Sequence, residues 1–232
     1  MTLSAVVMAA GEGTRLRPLT ETWPKPLLPI DGRPVLGTLL RELAAAGFER
    51  ATVVTGHLAE ELEDLVGDGS AFNLVVETVR QPEALGSADA VTRAVKAGAA
   101  PPLLVTAADT VFARGDIARV LGLWEGAAAG AVGVREGGRP DQTPVKVEDG
   151  RVVAFDAPGS GHSAAPLWIL GEELTAALAD VPGPPFEIAH GVQEALAAGK
   201  EFLAIPMRTT RDLTRPADVL RHNFPYLVKQ NR

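Results

Sequence analysis

The chain has 232 residues, enough for one large domain or two small ones. With 46% hydrophobic and 22% charged residues it has an ordinary globular balance, which excludes global disorder. A net charge of −7 argues against nonspecific nucleic-acid binding, and the absence of cysteine excludes disulfides, a thiolate zinc site and a cysteine nucleophile.

Leu3–Met8 is a short apolar run that reads as a first strand. It gives way to Ala9-Ala10-Gly11-Glu12-Gly13-Thr14-Arg15-Leu16-Arg17-Pro18, and shortly after to Pro24-Lys25-Pro26-Leu27-Leu28. The two glycines let backbone N–H groups approach an anion and permit unusual φ/ψ values. Arg15 offers a bidentate fork to phosphate oxygens, and Lys25 offers a point charge on a flexible stem. Pro24 and Pro26 stiffen the backbone around that lysine. The loop lacks the Gly-Lys-Ser/Thr ending of a P-loop. Leu16 stands where a dinucleotide fingerprint needs its third glycine.

Next in the chain, Val35, Leu36, Leu39, Leu40 and Leu43 share one helical face, with Pro34 suited to the first turn. A strand is expected at Ala51–Thr55, a helix on Leu58, Leu62 and Leu65, and a strand at Leu74–Val76. Gln81-Pro-Glu-Ala-Leu-Gly86-Ser87 leads into a helix on Ala88, Val91 and Val95, with Ser87 as its expected cap. Leu103–Thr106 reads as a strand running towards Asp109. This strand–helix alternation implies a mostly parallel sheet covered on both faces, with ligands at the carboxyl ends of its strands. An Asp at that edge is well placed to hold Mg²⁺.

After about Ala128 the pattern becomes strand after strand: Ala131–Val134, Val145–Val147, Val152–Phe155, Leu167–Leu170 and Phe202–Ile205. Turn signals stand at Gly137-Gly138-Arg139-Pro140 and Asp149-Gly150. The expectation is a small antiparallel lid or platform, inserted at about 128–170 into one domain whose nucleotide-binding half spans about 1–127. His57, His162, His190 and His222 lack metal-ligand spacing. Ser163 beside His162 lacks the strand–turn–helix context of a nucleophile. Trp124 and Trp168 read as core or pocket-wall residues.

The run from Ala9 to Thr20, with Pro-Lys-Pro-Leu-Leu at this spacing, resembles the sugar-1-phosphate nucleotidyltransferases (NDP-sugar pyrophosphorylases). The resemblance is specific at 5–30 and 81–91, fair at 103–112 and 201–220, and poor at 139–168. It implies an α/β fold with a mostly parallel Rossmann-like nucleotidyltransferase sheet and a small inserted β-rich acceptor subregion. It also implies Mg²⁺-dependent transfer of NMP from an NTP to a sugar-1-phosphate, with release of pyrophosphate. On it, Ala9, Ala10, Gly11, Gly13, Thr14, Gln81, Gly86 and Ser87 bind the nucleotide. Arg15 holds the β and γ phosphates, and Lys25 neutralises charge at the α-phosphate. Asp109, preceded by Ala108 where the family has Gly, is one metal ligand. Asp212, in Arg211-Asp212-Leu-Thr-Arg-Pro216-Ala-Asp218, is the second, and Thr214 is a cap for the helix that follows. A glutamine amide suits the edge of a uracil or thymine ring, so UTP or dTTP is expected.

The acceptor half departs from the pattern. The family's Glu-Lys-Pro is replaced by Phe155-Asp156-Ala157-Pro158, so the lysine that binds the sugar phosphate is absent. The segment that touches the sugar becomes Ala164-Ala165-Pro166-Leu167-Trp168, and the Tyr-Gly before the hairpin becomes Thr143-Pro144. Charge alone nominates Lys146 or Arg139 as the substitute cation. Two alternatives follow: a cytidylyltransferase acting on a non-sugar phosphate such as phosphocholine, or a catalytically inactive nucleotide-binding regulatory protein. No basic segment followed by a long apolar run opens the sequence, and no apolar run is of membrane-spanning length. A soluble cytoplasmic protein without nucleic-acid or membrane partners is therefore expected. With no long extension at the C-terminus, no β-helix or acetyltransferase domain is expected.

Overall fold

The computed structural model describes residues 3–228 other than 125, 127, 139–141 and 158. Strand β1 (Ser4–Met8) leads into three single 3₁₀ turns and a two-stranded ribbon, β2 (Pro29–Ile30) and β3 (Arg33–Pro34). Then follow α1 (Val35–Ala45), β4 (Arg50–Thr55), α2 (Ala59–Val66), β5 (Val75–Arg80), α3 (Ser87–Lys96), β6 (Leu103–Ala107), the short β7 (Thr110–Val111) and α4 (Asp116–Trp124). The second half holds β8 (Gly130–Glu136), β9 (Pro144–Glu148), β10 (Arg151–Phe155), β11 (His162–Leu170), α5 (Glu172–Ala177), α6 (Ile188–Ala197), β12 (Phe202–Pro206), β13 (Arg211–Asp212), α7 (Pro216–Asn223) and α8 (Pro225–Val228).

Nine strands form one sheet in the order β5-β4-β1-β6-β11-β8-β12-β10-β9. The strands β5, β4, β1 and β6 are mutually parallel, as strand–helix alternation demands. Beyond β6 the sheet is mixed. β11 runs antiparallel to β6 and β8, and β12 runs parallel to β8. The β-rich region therefore does not form a separate lid or platform. β11, β8 and β12 extend the central sheet, because Leu167–Leu170 pairs directly with Leu103–Thr106. Only the β9–β10 hairpin makes an edge ribbon. Its turn carries positive φ at both Asp149 (+47°) and Gly150 (+74°), the conformation an Asp-Gly hairpin turn favours.

Helices cover both faces of the sheet. On one, α1, α2 and α4 bury Leu36, Leu40, Leu43, Leu62, Ile117 and Trp124 against Ala5, Val7 and Val53. On the other, α3, α5 and α6 bury Val91, Leu174, Ile188 and Val192 against Val6, Val105 and Val132. Successive β1 residues thus serve opposite cores, as a period of two requires. A third, smaller cluster of Leu16, Leu28, Ile30, Val35, Val111 and Leu213 lies beneath the glycine loop.

Two strands run at least four residues past their expected bounds. β5 continues from Val76 to Arg80 because its backbone pairs with β4 as far as Arg80–Thr55, while Glu77 and Thr78 present polar side chains on an edge strand. β11 starts five residues before Leu167. Its register against β8 shifts between Ala164 and Trp168, around Pro166, which cannot donate to a ladder.

Candidate active site

The glycine loop leaves the carboxyl end of β1. Gly13 has φ +63°, and a Cβ there would lie 3.0 Å from Thr20 Cγ2 and 3.2 Å from Lys25 Cβ. Glycine is required for the left-handed turn and for the closing of two side chains upon it. The Thr20 hydroxyl donates to the Gly13 carbonyl at 2.9 Å. His57 donates from Nε2 to the Thr20 carbonyl at 2.9 Å and from its backbone N–H to the Ala10 carbonyl at 3.2 Å. His57 is thus a brace for the loop. Sequence reasoning gave it no role, since a lone histidine carries no spacing signal.

Lys25 pairs with Asp109, both side chains being largely buried (16% and 26% exposed). Asp212 reaches the same place from the far end of the chain. The ribbon β7–β13 sets Asp212 opposite Thr110, and the Leu213 N–H donates to the Asp109 carbonyl at 3.1 Å. The Thr110 hydroxyl bridges the carboxylates, 3.1 Å from Asp109 Oδ1 and 2.9 Å from Asp212 Oδ1. Arg135, at the end of β8, grips Asp212 with both terminal nitrogens at 2.8 and 2.9 Å. Each candidate metal carboxylate therefore already has a cation against it. Sequence reasoning missed Arg135, because nothing local marks an arginine at the end of a β-strand.

Thr214 does not cap α7 with its hydroxyl. Asp218, 6% exposed, accepts from the backbone N–H groups of Thr214 (3.0 Å) and Arg215 (2.8 Å), which is the reach-back half of a capping box.

Gln81 is 4% exposed. Its amide nitrogen donates to the Gly86 carbonyl at 3.0 Å and to Asp89 Oδ2 at 2.7 Å. Arg93 Nε donates to the same Asp89 oxygen at 2.7 Å. Burial pushes the Asp89 carboxyl up, but the hydrogen bonds from Arg93 and Gln81 outweigh it and hold the group below its ordinary range. Gly86 has φ +116°, and a Cβ there would stand 2.3 Å from the Phe186 carbonyl oxygen. The backbone it admits is that of Phe186. Ser87 does not cap α3, whose N-cap is Gly86. Its hydroxyl accepts from the Ile188 N–H at 2.9 Å and donates to Glu187, so it serves the start of α6 instead.

Two adjoining cavities result. One, of about 290 Å³, is walled by Ala9, Gly11, Gly13, Thr14, Arg15 and Lys25. The other, of about 520 Å³, is walled among others by Arg135, Thr143, Asp156, Trp168, Glu187 and His190. Arg15, Ala107, Asp109 and Thr214 line both. Ala164, Ala165 and Pro166 form part of the wall of the larger cavity, so the segments that depart from the family pattern do face it. Lys146 does not. It is half-exposed on β9, pairs with Glu148 at 2.7 Å and is absent from either lining. Alternation along the strand turns it away from the wall that Thr143 lines. Arg139 lies outside the described residues.

The glycine loop, Lys25 and Asp109 lie within the stretch that matches a known family, and Asp212 lies beyond it. The nucleotidyl transferase family matches residues 4–144, more than half of the chain. The chain belongs to this family. It is 36% identical over 110 residues to an N-acetylmuramate alpha-1-phosphate uridylyltransferase of Neisseria meningitidis, covering 47% of this chain and 48% of that protein. It is 50% identical over 58 residues to a 2-aminoethylphosphonate cytidylyltransferase of Lancefieldella rimae, covering 25% of this chain and 24% of that one. These matches span half or less of the relatives' length. A UDP-glucose pyrophosphorylase solved with UDP-glucose superposes with a TM-score of 0.83 over 99% of this chain and 100% of its own, at 21% identity, and shares the fold. Among the described residues, no helix of this family member is long and apolar enough to cross a membrane.

Proposed function

We propose that the protein transfers a nucleotidyl group from UTP or dTTP to a sugar-1-phosphate, forming an NDP-sugar and releasing pyrophosphate. The observation that carries this reading is the shared wall of the two cavities, where Arg15 and Asp109 face both. A triphosphate lying along the glycine loop presents its α-phosphorus to a phosphate held in the larger cavity. An acceptor phosphate oxygen attacks that phosphorus, and the bond to the β-phosphate oxygen breaks in line. The nucleophile is already anionic, so no general base is needed and positioning with charge neutralisation dominates.

The residues have distinct tasks in this reading. The glycine loop and Arg15 hold the β and γ phosphates, and Lys25 turns from Asp109 to the α-phosphate. Arg135 takes the acceptor phosphate in place of the missing family lysine. Asp109 and Asp212 fit Mg²⁺. Among the described residues no group of three or more His, Cys, Asp or Glu side chains gathers, and two hard carboxylates suit an ion that keeps phosphate oxygens and water as its other ligands. When bound, the ion neutralises phosphate charge.

A second reading, transfer of CMP to an amine-bearing phosphate or phosphonate, is supported by the cytidylyltransferase relative and by Asp156 and Glu187 in the larger cavity. Pyrophosphate release is to be measured for each NTP with separate pools of sugar-1-phosphates and of aminoalkyl phosphates and phosphonates. UTP or dTTP with a sugar-1-phosphate is expected to give the fastest release. Turnover only with CTP and an amine-bearing acceptor selects the second reading. Tight NTP binding with no release from any pool selects a regulatory protein.

A further inference from the structure

We propose that Asp212 withholds Arg135 until its carboxylate is taken by a divalent cation, so that loading of the metal site is what frees the guanidinium for an acceptor phosphate. This rests on the reading under the proposed function, with Asp109 and Asp212 as the carboxylates for Mg²⁺ and Arg135 as the cation for the acceptor.

Four charged side chains and one hydroxyl stand in a row. Lys25 pairs with Asp109. The Thr110 hydroxyl lies 3.1 Å from Asp109 Oδ1 and 2.9 Å from Asp212 Oδ1, and Arg135 closes the row on Asp212. Lys25 lines the smaller cavity, Thr110, Arg135 and Asp212 line the larger, and Asp109 lines both. The negative and positive charges of the row balance. A divalent cation on the carboxylates leaves Lys25 and Arg135 in surplus, one beside each cavity. Phosphates are the anions that restore the balance.

The two uses of the Asp212 carboxylate compete. The guanidinium takes both oxygens, one terminal nitrogen 2.8 Å from Oδ2 and the other 2.9 Å from Oδ1, and Thr110 shares Oδ1. An ion on either oxygen shares it with a guanidinium N–H, and two cations on one largely buried carboxylate repel strongly. Asp212 is fixed from behind by its pairing with Thr110 and by the bond from the Leu213 N–H to the Asp109 carbonyl. The long Arg135 side chain, with its many rotamers, is the partner that yields. Its held pose is also incomplete, because Nε is buried with no hydrogen-bond partner among the described residues. A phosphate oxygen satisfies such a donor. Once parted from Asp212, the guanidinium needs another anion, since a buried charge without a partner is costly. Metal loading and acceptor binding are therefore linked, and the linkage is reciprocal.

Phenylglyoxal modifies guanidinium groups that are not engaged elsewhere, and peptide mass spectrometry then reads the state of Arg135 with no nucleotide or acceptor present. Arg151, in an exposed pair with Glu201 at 3.1 Å, serves as the reference. In the wild type with chelator, Arg135 is expected to react slowly. Saturating Mg²⁺ at matched ionic strength is expected to raise its rate by about tenfold, the gain for a group otherwise held back about nine-tenths of the time, with Arg151 unchanged. Asp212→Asn is expected to react at the fast rate with or without Mg²⁺. Asp109→Asn keeps the Arg135 pair but lacks one carboxylate for the ion, and is expected to stay slow at the Mg²⁺ concentration that half-saturates the wild-type response. Should Asp212→Asn fail to fold, the wild-type contrast between chelator and Mg²⁺ decides alone. In parallel, Mn²⁺ bound to the protein, with and without pyrophosphate, is counted by electron paramagnetic resonance. Bound ion with no change at Arg135 overturns the exchange and leaves the metal assignment standing. An equal response in the wild type and Asp212→Asn places the effect elsewhere and also overturns it. No bound ion in either condition overturns the metal assignment under the proposed function, and the exchange with it. Release of Arg135 by Mg²⁺, while Arg135→Met leaves the acceptor KM unmoved, upholds the exchange and overturns the acceptor role given to Arg135 under the proposed function.

Discussion

The Arg135–Asp212 pair is the site interaction whose energetics the structure defines best. The two side chains are 15% and 12% exposed, and the contact is bidentate at 2.8 and 2.9 Å. Exchanging Arg135 for Met keeps much of the volume and leaves Asp212 largely buried with the Thr110 hydroxyl as a remaining donor. Losing one partner of a well-buried pair costs about 3–5 kcal/mol, and contacts that survive, that with Thr110 among them, bring the expected loss down to about 2–4 kcal/mol. In a chain of this length each kcal/mol lowers Tm by about 2–4 °C. Asp212→Asn strands the guanidinium instead, whose Nε is already buried without a hydrogen-bond partner among the described residues. The double variant Arg135→Met/Asp212→Asn removes both charges, and the loss is expected to fall short of the sum of the singles by about 2 kcal/mol. Urea unfolding at neutral pH with chelator present measures all four proteins. Losses that add within about 0.5 kcal/mol would show a solvent-screened pair of the exposed kind. The inference that Arg135 is held in the site by Asp212 would then be wrong.

Other perturbations probe separate parts of the centre. Lys25→Ala is expected to lower kcat by about 10²–10³ while unfolding stability changes far less, since a charge at the reacting phosphate is lost; near-normal pyrophosphate release would remove Lys25 from the chemistry. Asp109→Asn and Asp212→Asn should each shift the activity-against-Mg²⁺ curve to higher concentration, and an unmoved curve for Asp212→Asn would take it out of the metal site. Gly86→Ala should cost more than about 2 kcal/mol in unfolding, because φ +116° and a Phe186 oxygen 2.3 Å from the new Cβ leave backbone against backbone with nothing to yield. Lys146→Ala should change neither acceptor KM nor stability beyond about 0.5 kcal/mol, its ion pair being half-exposed; a raised acceptor KM would restore it to the site.

The glycine loop and its place on the sheet were legible in the sequence because the signal is local. Gly13, Arg15 and Lys25 lie within one short stretch, and the apolar run of β1 announces where that stretch sits on the sheet. The parallel half of the sheet was legible for the same reason, since hydrophobic period and helix faces are properties of neighbouring residues. What the tertiary structure decided is how distant segments meet. Asp212 joins Asp109 through the two-residue ribbon, with Thr110, 102 positions before Asp212, as the bridge. Arg135 reaches the wall of the larger cavity only because β11 pairs with β6 and brings β8 behind it, whereas charge alone pointed to Lys146 or Arg139. Ser87 caps α6 and not its own helix because the chain folds Phe186 back onto Gly86. In each case the sequence names a capable side chain and its local backbone. Which of its neighbours uses that side chain is fixed by strand order, which no local pattern encodes.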